Sequence, residues 1–368
     1  MSKQSVKESL VRIIDGKGDT HLEKKRHRFL FIMTTGIILT IIVALMSICI
    51  GQTKVMGPFE ALGNLFSAIG KGGKGLTNDE VLIYSSRFPR TVAAIGVGLG
   101  LSVAGAAYQA IIRNPLVDPY IMGVSAGSGT FAIATIAFGF SFFGLLSSHS
   151  PYLTAVSAAV GGLLAFGLTM LVAIRAGRTT NAYVLSGVVV GLLFSAIQTV
   201  LIKFSGDKIQ NSMSWLFGSF ANVRMDEAMI ILVGVLVLSI VILRMSRELN
   251  LVLLGENEAE QMGLNVKKFN MVLLIVASVL ASLCVAFVGI IGFVGLVVPH
   301  FCRMVFGGDH RLMLPASMLF GGTLMILADL VARMAMSVQE LPVGAITTLI
   351  GVPVFAYLLV KRGKIYNG

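Results

Sequence analysis

Uncharged runs of membrane-spanning length are the feature that most constrains how this chain can fold. Five runs of 20 to 24 residues carry no formal charge, at 29–50, 91–112, 151–174, 182–202 and 341–360. About 20 apolar residues in a helix cross a hydrocarbon core of roughly 30 Å. Only 13% of residues are charged, against about 25% in an ordinary soluble domain. The sequence therefore predicts an all-α integral membrane protein.

Shorter apolar segments raise the number of predicted membrane segments to about ten. Three of them lie at 121–140, 228–243 and 312–328. The remaining one, 269–302, holds 34 residues without a formal charge. As a helix it would be about 51 Å long, too long for one span and too short for two spans with a turn.

Glycine and proline indicate where this 34-residue stretch divides. Gly289, Gly292 and Gly295 interrupt it, and Pro299 falls inside the remainder. The pattern predicts a full helix followed by a short one. A short helix at membrane depth has to be sheltered by protein or line a cavity.

The distribution of basic residues predicts the orientation of the chain. With the N-terminus inside and ten segments, 20 of the 29 Lys and Arg residues fall on the cytoplasmic side, as the positive-inside rule requires. Residues 1–28 form a basic cytoplasmic tail rather than a signal peptide, because a full-length span follows them. Residues 29–368 form one polytopic membrane domain with a cytoplasmic C-terminus. The positive-inside distribution accounts for the net charge of +11, so we expect no nucleic acid as a partner.

Neither the cysteines nor the histidines suggest a metal site. Cys49, Cys284 and Cys302 lie in or beside apolar runs without CxxC spacing, which is typical of packing residues. His300 is two residues from Cys302 with no further ligand near it in sequence.

Two glycine-rich stretches imitate nucleotide-binding motifs. GKGGKGLT at 70–77 lacks the first glycine and the final Ser or Thr of a phosphate loop. GVGLG at 96–100 lies inside an uncharged span, where Gly96 and Gly100 are expected to form a face for helix packing. We therefore expect no nucleotide site on this chain.

A small charged segment stands out among the apolar runs. LGENEAEQMGLNV at 254–266 falls on the predicted cytoplasmic side, and between Gly255 and Gly263 it can form a short helix that displays Glu256 and Glu258. Such a helix is either simply solvated or the contact surface of a partner.

Three arginines lie on the predicted outer side, against the topological bias. A fixed arginine can bind a carboxylate with two hydrogen bonds. Arg87 and Arg90 could instead reach lipid headgroups. Arg333 follows Asp329 by four residues, so these two could pair along one helix.

The chain resembles the FecCD-type permease subunits of ATP-binding-cassette importers for iron chelates, haem and cobalamin. The resemblance covers most of the chain after residue 85, in order. It is carried by RFPRTVAAIGVGLGLSVAGAAYQAIIRNPLVDPYIMGVSAGSG (87–129), SWLFGS (214–219), LGENEAEQMGLNV (254–266), GFVGLVVPHFCRM (292–304), LADLVAR (327–333) and ELPVGAITTLIGVPVFAYLL (340–359). It implies a BtuC-like type II importer fold with about ten transmembrane helices.

The resemblance also implies roles for particular residues. The acidic segment would be the coupling helix that docks on an ATPase, with Gly255, Glu256, Glu258, Ala259, Met262 and Gly263. The outer arginines Arg87, Arg90 and Arg333 would receive acidic residues of a substrate-binding protein. The cytoplasmic gate would comprise Asn114, Leu116, Thr179 and Thr180, although a tight turn at Pro115 and Pro119 with ordinary helix packing explains these residues equally well.

The expected function is the permease subunit of an importer in a bacterial cytoplasmic membrane. Two copies, two ATPases and a binding protein would carry an iron-siderophore or haem, with cobalamin as a further candidate cargo. No cofactor is expected on this chain, since ATP–Mg would bind the ATPases. The alternatives are an ion-coupled secondary transporter, for which Asp329 is the one acid clearly inside a span, and a membrane enzyme, for which no catalytic cluster is visible.

Overall fold

The computed structural model describes residues 17–139, 152–336 and 340–366, and in these ranges the chain is helical without a strand. A π-helical turn at Leu82–Arg87 and a 3-10 turn at Gly206–Lys208 connect helices. The helices are α1 Lys17–Cys49, α2 Pro58–Gly70, α3 Asn78–Val81, α4 Phe88–Ile112, α5 Val124–Phe138, α6 Leu153–Arg175, α7 Thr180–Lys203, α8 Ile209–Leu216, α9 Met225–Arg244, α10 Ser246–Val252, α11 Glu256–Gln261, α12 Val266–Val288, α13 Val294–Phe306, α14 His310–Met334 and α15 Val343–Tyr366.

The number of membrane segments agrees with the prediction of about ten. Seven helical segments of the described chain are long and apolar enough to cross a membrane, and three shorter apolar helices accompany them. The long ones are α1 from Phe29, the continuous α3–α4 segment, α6, α7, α9, α12 and α14, and the shorter ones are α5, α13 and the first part of α15.

Two of the observed helix starts are informative about the predicted segment limits. Helix α1 begins at Lys17, so the predicted limit at residue 28 separates a charged from an apolar part of one helix; residues 1–16 lie outside the described ranges. The segment predicted from residue 121 becomes helical only at Val124. Gly123 has a φ of +79°, and this left-handed conformation starts the helix later.

The long uncharged stretch divides as predicted. Helix α12 ends at Val288 and α13 begins at Val294, with Pro299 inside α13. Gly289 has a φ of +77°, and a Cβ at this position would collide with the carbonyl oxygen of Trp215. Only glycine meets both requirements, which explains the break there.

Helix α4 is the centre of the bundle, and small residues allow this position. All but three residues of Phe88–Ile112 are buried. Gly96 and Gly100 pack against α9, as predicted, with ideal Cβ positions 3.0 Å from side-chain atoms of Ile231 and Val235. Gly98 and Gly105 approach the backbone of α14 and α13 so closely that a Cβ would overlap a carbonyl oxygen. The interior of this helix bundle is therefore filled by α4.

The three cysteines are packing residues, as predicted. Cys49, Cys284 and Cys302 carry free thiols and are buried. Cys284 belongs to the main core cluster and lies beside Gly100, where a Cβ would meet its sulfur.

Candidate docking surfaces and cytoplasmic gate

The predicted acidic segment forms a short helix, α11, bounded by two glycines. Gly255 has a φ of +140° and ψ of 154°, a conformation that L side chains rarely adopt. At the other end Gly263 has a φ of +88° and donates to the Glu260 carbonyl at 2.9 Å. Leu264 then donates to the Ala259 carbonyl at 3.1 Å, which closes the helix with a Schellman-type pair of bonds. The glycines thus fix where the helix starts and stops.

Helix α11 presents a mixed acidic and apolar surface. Ala259 is completely buried and anchors the helix, while Glu256, Glu258 and Glu260 are exposed. Met262 is 60% exposed beside them. An acidic helix edged by an exposed apolar side chain is a surface that a partner protein can cover.

Two exposed leucines extend this surface, and neither was among the predicted contact residues. Leu253 and Leu254 are 48% and 61% exposed, immediately before Gly255. A pair of leucines next to a charged segment on the predicted cytoplasmic side was the signal that could have identified them.

The acidic helix lies beside the start of α7. A cleft of about 500 Å³ is lined by Thr179 and Thr180 of α7 together with Glu256 and Glu260 of α11. Thr179 accepts a hydrogen bond from the Ala182 amide at 3.1 Å and so caps α7. The structure therefore brings half of the predicted gate next to the predicted coupling helix.

The other two predicted gate residues lie in the turn that follows α4. The carboxamide oxygen of Asn114 accepts from the Leu116 amide at 3.0 Å, and both residues are exposed. They do not line the cleft. Arg113, the preceding residue, lies 3.5 Å from the Glu256 carboxylate and donates to the Val252 carbonyl at 3.3 Å. This turn is thus connected to the coupling segment through one arginine.

A partly buried carboxylate that the sequence reasoning overlooked joins this turn to α13. Asp118 accepts from the Tyr120 amide at 2.9 Å and also receives the Phe293 amide. The Tyr120 hydroxyl donates to the Ile291 carbonyl at 3.1 Å. Pro119 packs so tightly on Gly295 that a Cβ there would lie 2.5 Å from the proline ring. The turn after α4 and the start of α13 therefore form one unit.

Arg87 is buried and bound by backbone carbonyls. Its guanidinium donates to the carbonyls of Ile48 and Cys49 at 3.0 and 2.9 Å and to that of Lys54 at 2.5 Å. Only 3% of the residue is exposed. A cation at these last carbonyls of α1 satisfies groups that the helix itself leaves unpaired.

Arg90 and Arg333 share a buried carboxylate. Asp329 lies 2.7 Å from Arg90 and 3.3 Å from Arg333, and it is completely buried. Arg90 also contacts Glu340 at 2.8 Å, and Arg333 donates to the Ser47 hydroxyl at 2.7 Å. The pairing along the helix that the sequence suggested is present, but Arg90 from α4 lies closer to Asp329. In this conformation the predicted docking arginines are paired within the chain.

Comparisons with known proteins agree with this architecture. The model of the FecCD transport family matches residues 39–361. The cobalamin import system permease protein BtuC of Halobacterium salinarum is 40% identical over 284 residues, covering 77% of this chain and 74% of that protein. The vitamin B12 import system permease protein BtuC of Escherichia coli strain 536 is 34% identical over 328 residues, covering 89% and 94%.

A solved structure shares the fold over nearly the whole chain. It is an inward-facing conformation of a metal-chelate type ABC transporter, with a TM-score of 0.76 and 31% identity, covering 90% of this chain and 99% of its own. The fold is thus that of a type II importer permease. Family match, relatives and fold together establish that this multi-pass membrane protein belongs to the FecCD transport family of ABC importer permeases.

Proposed function

We propose that this chain is the permease subunit of an importer for a bulky metal chelate, an iron-siderophore, haem or cobalamin. Partner ATPases would bind ATP–Mg and supply the energy, and a binding protein would deliver the cargo. The single observation that carries the proposal is the exposed acidic helix α11, which lines one cleft together with the predicted gate residues Thr179 and Thr180. The named relatives support the cargo class but do not choose among the three chelates.

Helix α11 can pass the movement of an ATPase to the membrane helices by two short routes. One would act by opening or closing the cleft between Glu256 and the start of α7. The other runs through Arg113 to Asn114 and Leu116, and from that turn through Asp118 to α13. Because both routes begin at one helix, a displacement of α11 would shift both predicted parts of the gate together.

We further propose that the transport pathway lies between two copies of the chain. Helix α4 fills the centre of the bundle, and its glycines bring it into backbone contact with α13 and α14. No lumen wide enough for a chelate can fit along such a helix. A homodimer with one ATPase per copy would place the pathway on a shared face.

Docking of the binding protein through Arg87, Arg90 and Arg333 stays a prediction. For these arginines to receive carboxylates of a partner, they would have to exchange the internal contacts described above. Of the two carboxylates among those partners, Glu340 is the more accessible, with 30% of its side chain exposed against 0% for Asp329. Exchange at Arg90 would therefore require the smallest rearrangement.

The orientation also stays a proposal, with both termini in the cytoplasm of a bacterial cell and α11 facing the ATPase. The positive-inside distribution of lysine and arginine supports it. A cysteine introduced at exposed Glu258 should react with an impermeant maleimide only in inside-out vesicles.

The decisive experiment is cargo uptake into vesicles that contain this chain, the ATPase and the binding protein. We expect ATP-dependent uptake of one labelled chelate among iron-siderophore, haem and cobalamin. Exchange of both Glu256 and Glu258 for lysine should abolish uptake and co-purification of the ATPase. The matched control is Asp207→Lys, an exposed acid on the predicted outer side, which should change neither.

Two results would contradict the proposal. One is wild-type uptake and ATPase binding by the Glu256→Lys, Glu258→Lys variant. The other is uphill transport by this chain alone under an ion gradient, which would indicate a secondary transporter.

A further inference from the structure

Helix α2, on the predicted outer side, divides into three faces along its length. At about 100° per residue, Ala61, Leu65 and Ala68 fall on one face. These three are buried, and Ala61 and Leu65 pack in a small cluster with Ile48 and Cys49 at the end of α1. This core face fixes how α2 is rotated relative to the bundle.

The second face is polar and has partners within the chain. It carries Asn64, Glu60 and Ser67. Glu60 lies 3.2 Å from the Lys54 ammonium, and the Ser67 hydroxyl donates to Glu80 at 2.6 Å. Hydrogen bonds to nearby carboxylates, that of Asp79 first, raise the pKa of Lys54, so this lysine stays charged. The polar face therefore lies among charged, solvent-exposed residues of the loop between the first two spans.

The third face is apolar and largely exposed. Leu62, Phe66, Phe59 and Ile69 occupy an arc of about 80° between the core and polar faces. Phe59 is 91% exposed, Phe66 68% and Ile69 49%. Two phenylalanines and an isoleucine side by side would be costly to leave in water.

The height of α2 in the bundle indicates what covers this face. The apolar part of α1, Phe29–Cys49, has 21 residues and is therefore about 31 Å long, close to the thickness of a hydrocarbon core. Its last residues, Ile48 and Cys49, thus mark the edge of that core. Because α2 packs directly on them, it lies at the level of the lipid headgroups.

We propose that α2 is an interfacial anchor whose apolar face inserts into the lipid leaflet at the α1 C-terminal end. The order of the faces fits such a helix, because the core face would contact the bundle, the exposed apolar face would contact lipid and the polar face would contact water. With 13 residues it is about 20 Å long and cannot span. The anchor would hold the loop between the first two spans at a fixed depth, and this inference does not depend on the transported cargo.

Single tryptophans can test where the apolar face lies. Trp215 is the one native tryptophan, so Phe66→Trp and Glu60→Trp are each made with Trp215→Phe. The full chain is placed in nanodiscs of phosphatidylcholine, with or without bromine near the top of the acyl chains. Phe66→Trp should be quenched at least twofold by bromolipid and shielded from aqueous iodide. Glu60→Trp, at an exposed position of the polar face, should behave in the opposite way.

Equal iodide quenching at both positions, without bromolipid quenching, would overturn the anchor. Shielding of Phe66→Trp that begins only when a binding protein is added would also overturn it and assign the face to protein docking. If Phe66→Trp elutes as misfolded protein, Phe59→Trp carries the same test. If Trp215→Phe itself misfolds, the native tryptophan is kept and its signal subtracted.

Discussion

Removal of the Asp329 carboxylate should strongly destabilise the fold. This carboxylate is completely buried and is shared by Arg90 at 2.7 Å and Arg333 at 3.3 Å. In Asp329→Ala both guanidinium groups stay buried while their common counter-ion is lost. Glu340 would still face Arg90, and Ser47 would still face Arg333.

The expected loss follows from the burial of the two arginines. Breaking a buried ion pair by removing one partner costs about 3–5 kcal/mol, because a charge is left uncompensated. The remaining contacts to Glu340 and Ser47 offset part of this cost, so we expect about 3 kcal/mol for Asp329→Ala. The matched control is Asp79→Ala, which breaks the ion pair between Lys54 and Asp79. The side chains of these two residues are 43% and 41% exposed, respectively. An exposed pair contributes less than about 1 kcal/mol.

Steric trapping in bicelles measures the free energy of unfolding of a membrane protein without denaturant and is the suitable assay. We expect Asp329→Ala to lower the free energy of unfolding clearly more than Asp79→Ala does. Equal losses, or a loss under about 1 kcal/mol for Asp329→Ala, would show that the buried network does not hold α4 to α14.

Two further predictions concern α4 and its surroundings. Gly105→Ala should lower both stability and transport, because the new Cβ would overlap the Gly295 carbonyl oxygen. Thermal unfolding in detergent measures the loss of stability, and the vesicle uptake assay measures the loss of transport. The control is Gly63→Ala in α2, where a Cβ would meet no neighbouring atom. Arg87→Met should lower the free energy of unfolding by about 1.5–3 kcal/mol, since charge-assisted bonds to three backbone carbonyls, two of them buried, are lost. Unchanged stability of Arg87→Met with weakened association of the binding protein would instead support the docking prediction.

The sequence was sufficient to predict what depends on local composition. A bilayer demands long apolar helices, so the uncharged runs revealed the spans and their number. Glycine adopts the positive-φ conformations found at Gly255, Gly263 and Gly289 more readily than any other residue, and therefore the limits of α11 and the break before α13 could be read from residue type.

Only the tertiary structure decided how side chains far apart in sequence are paired. Arg90 and Asp329 are 239 residues apart, and no local pattern could favour this contact over a free arginine on the outer surface. The same holds for Asp118 and the start of α13, and for the apolar face of α2, whose exposure depends on how the core face packs. Composition determines which segments enter the membrane, whereas the packing of helices determines which charged groups are satisfied inside the chain and which are left for a partner.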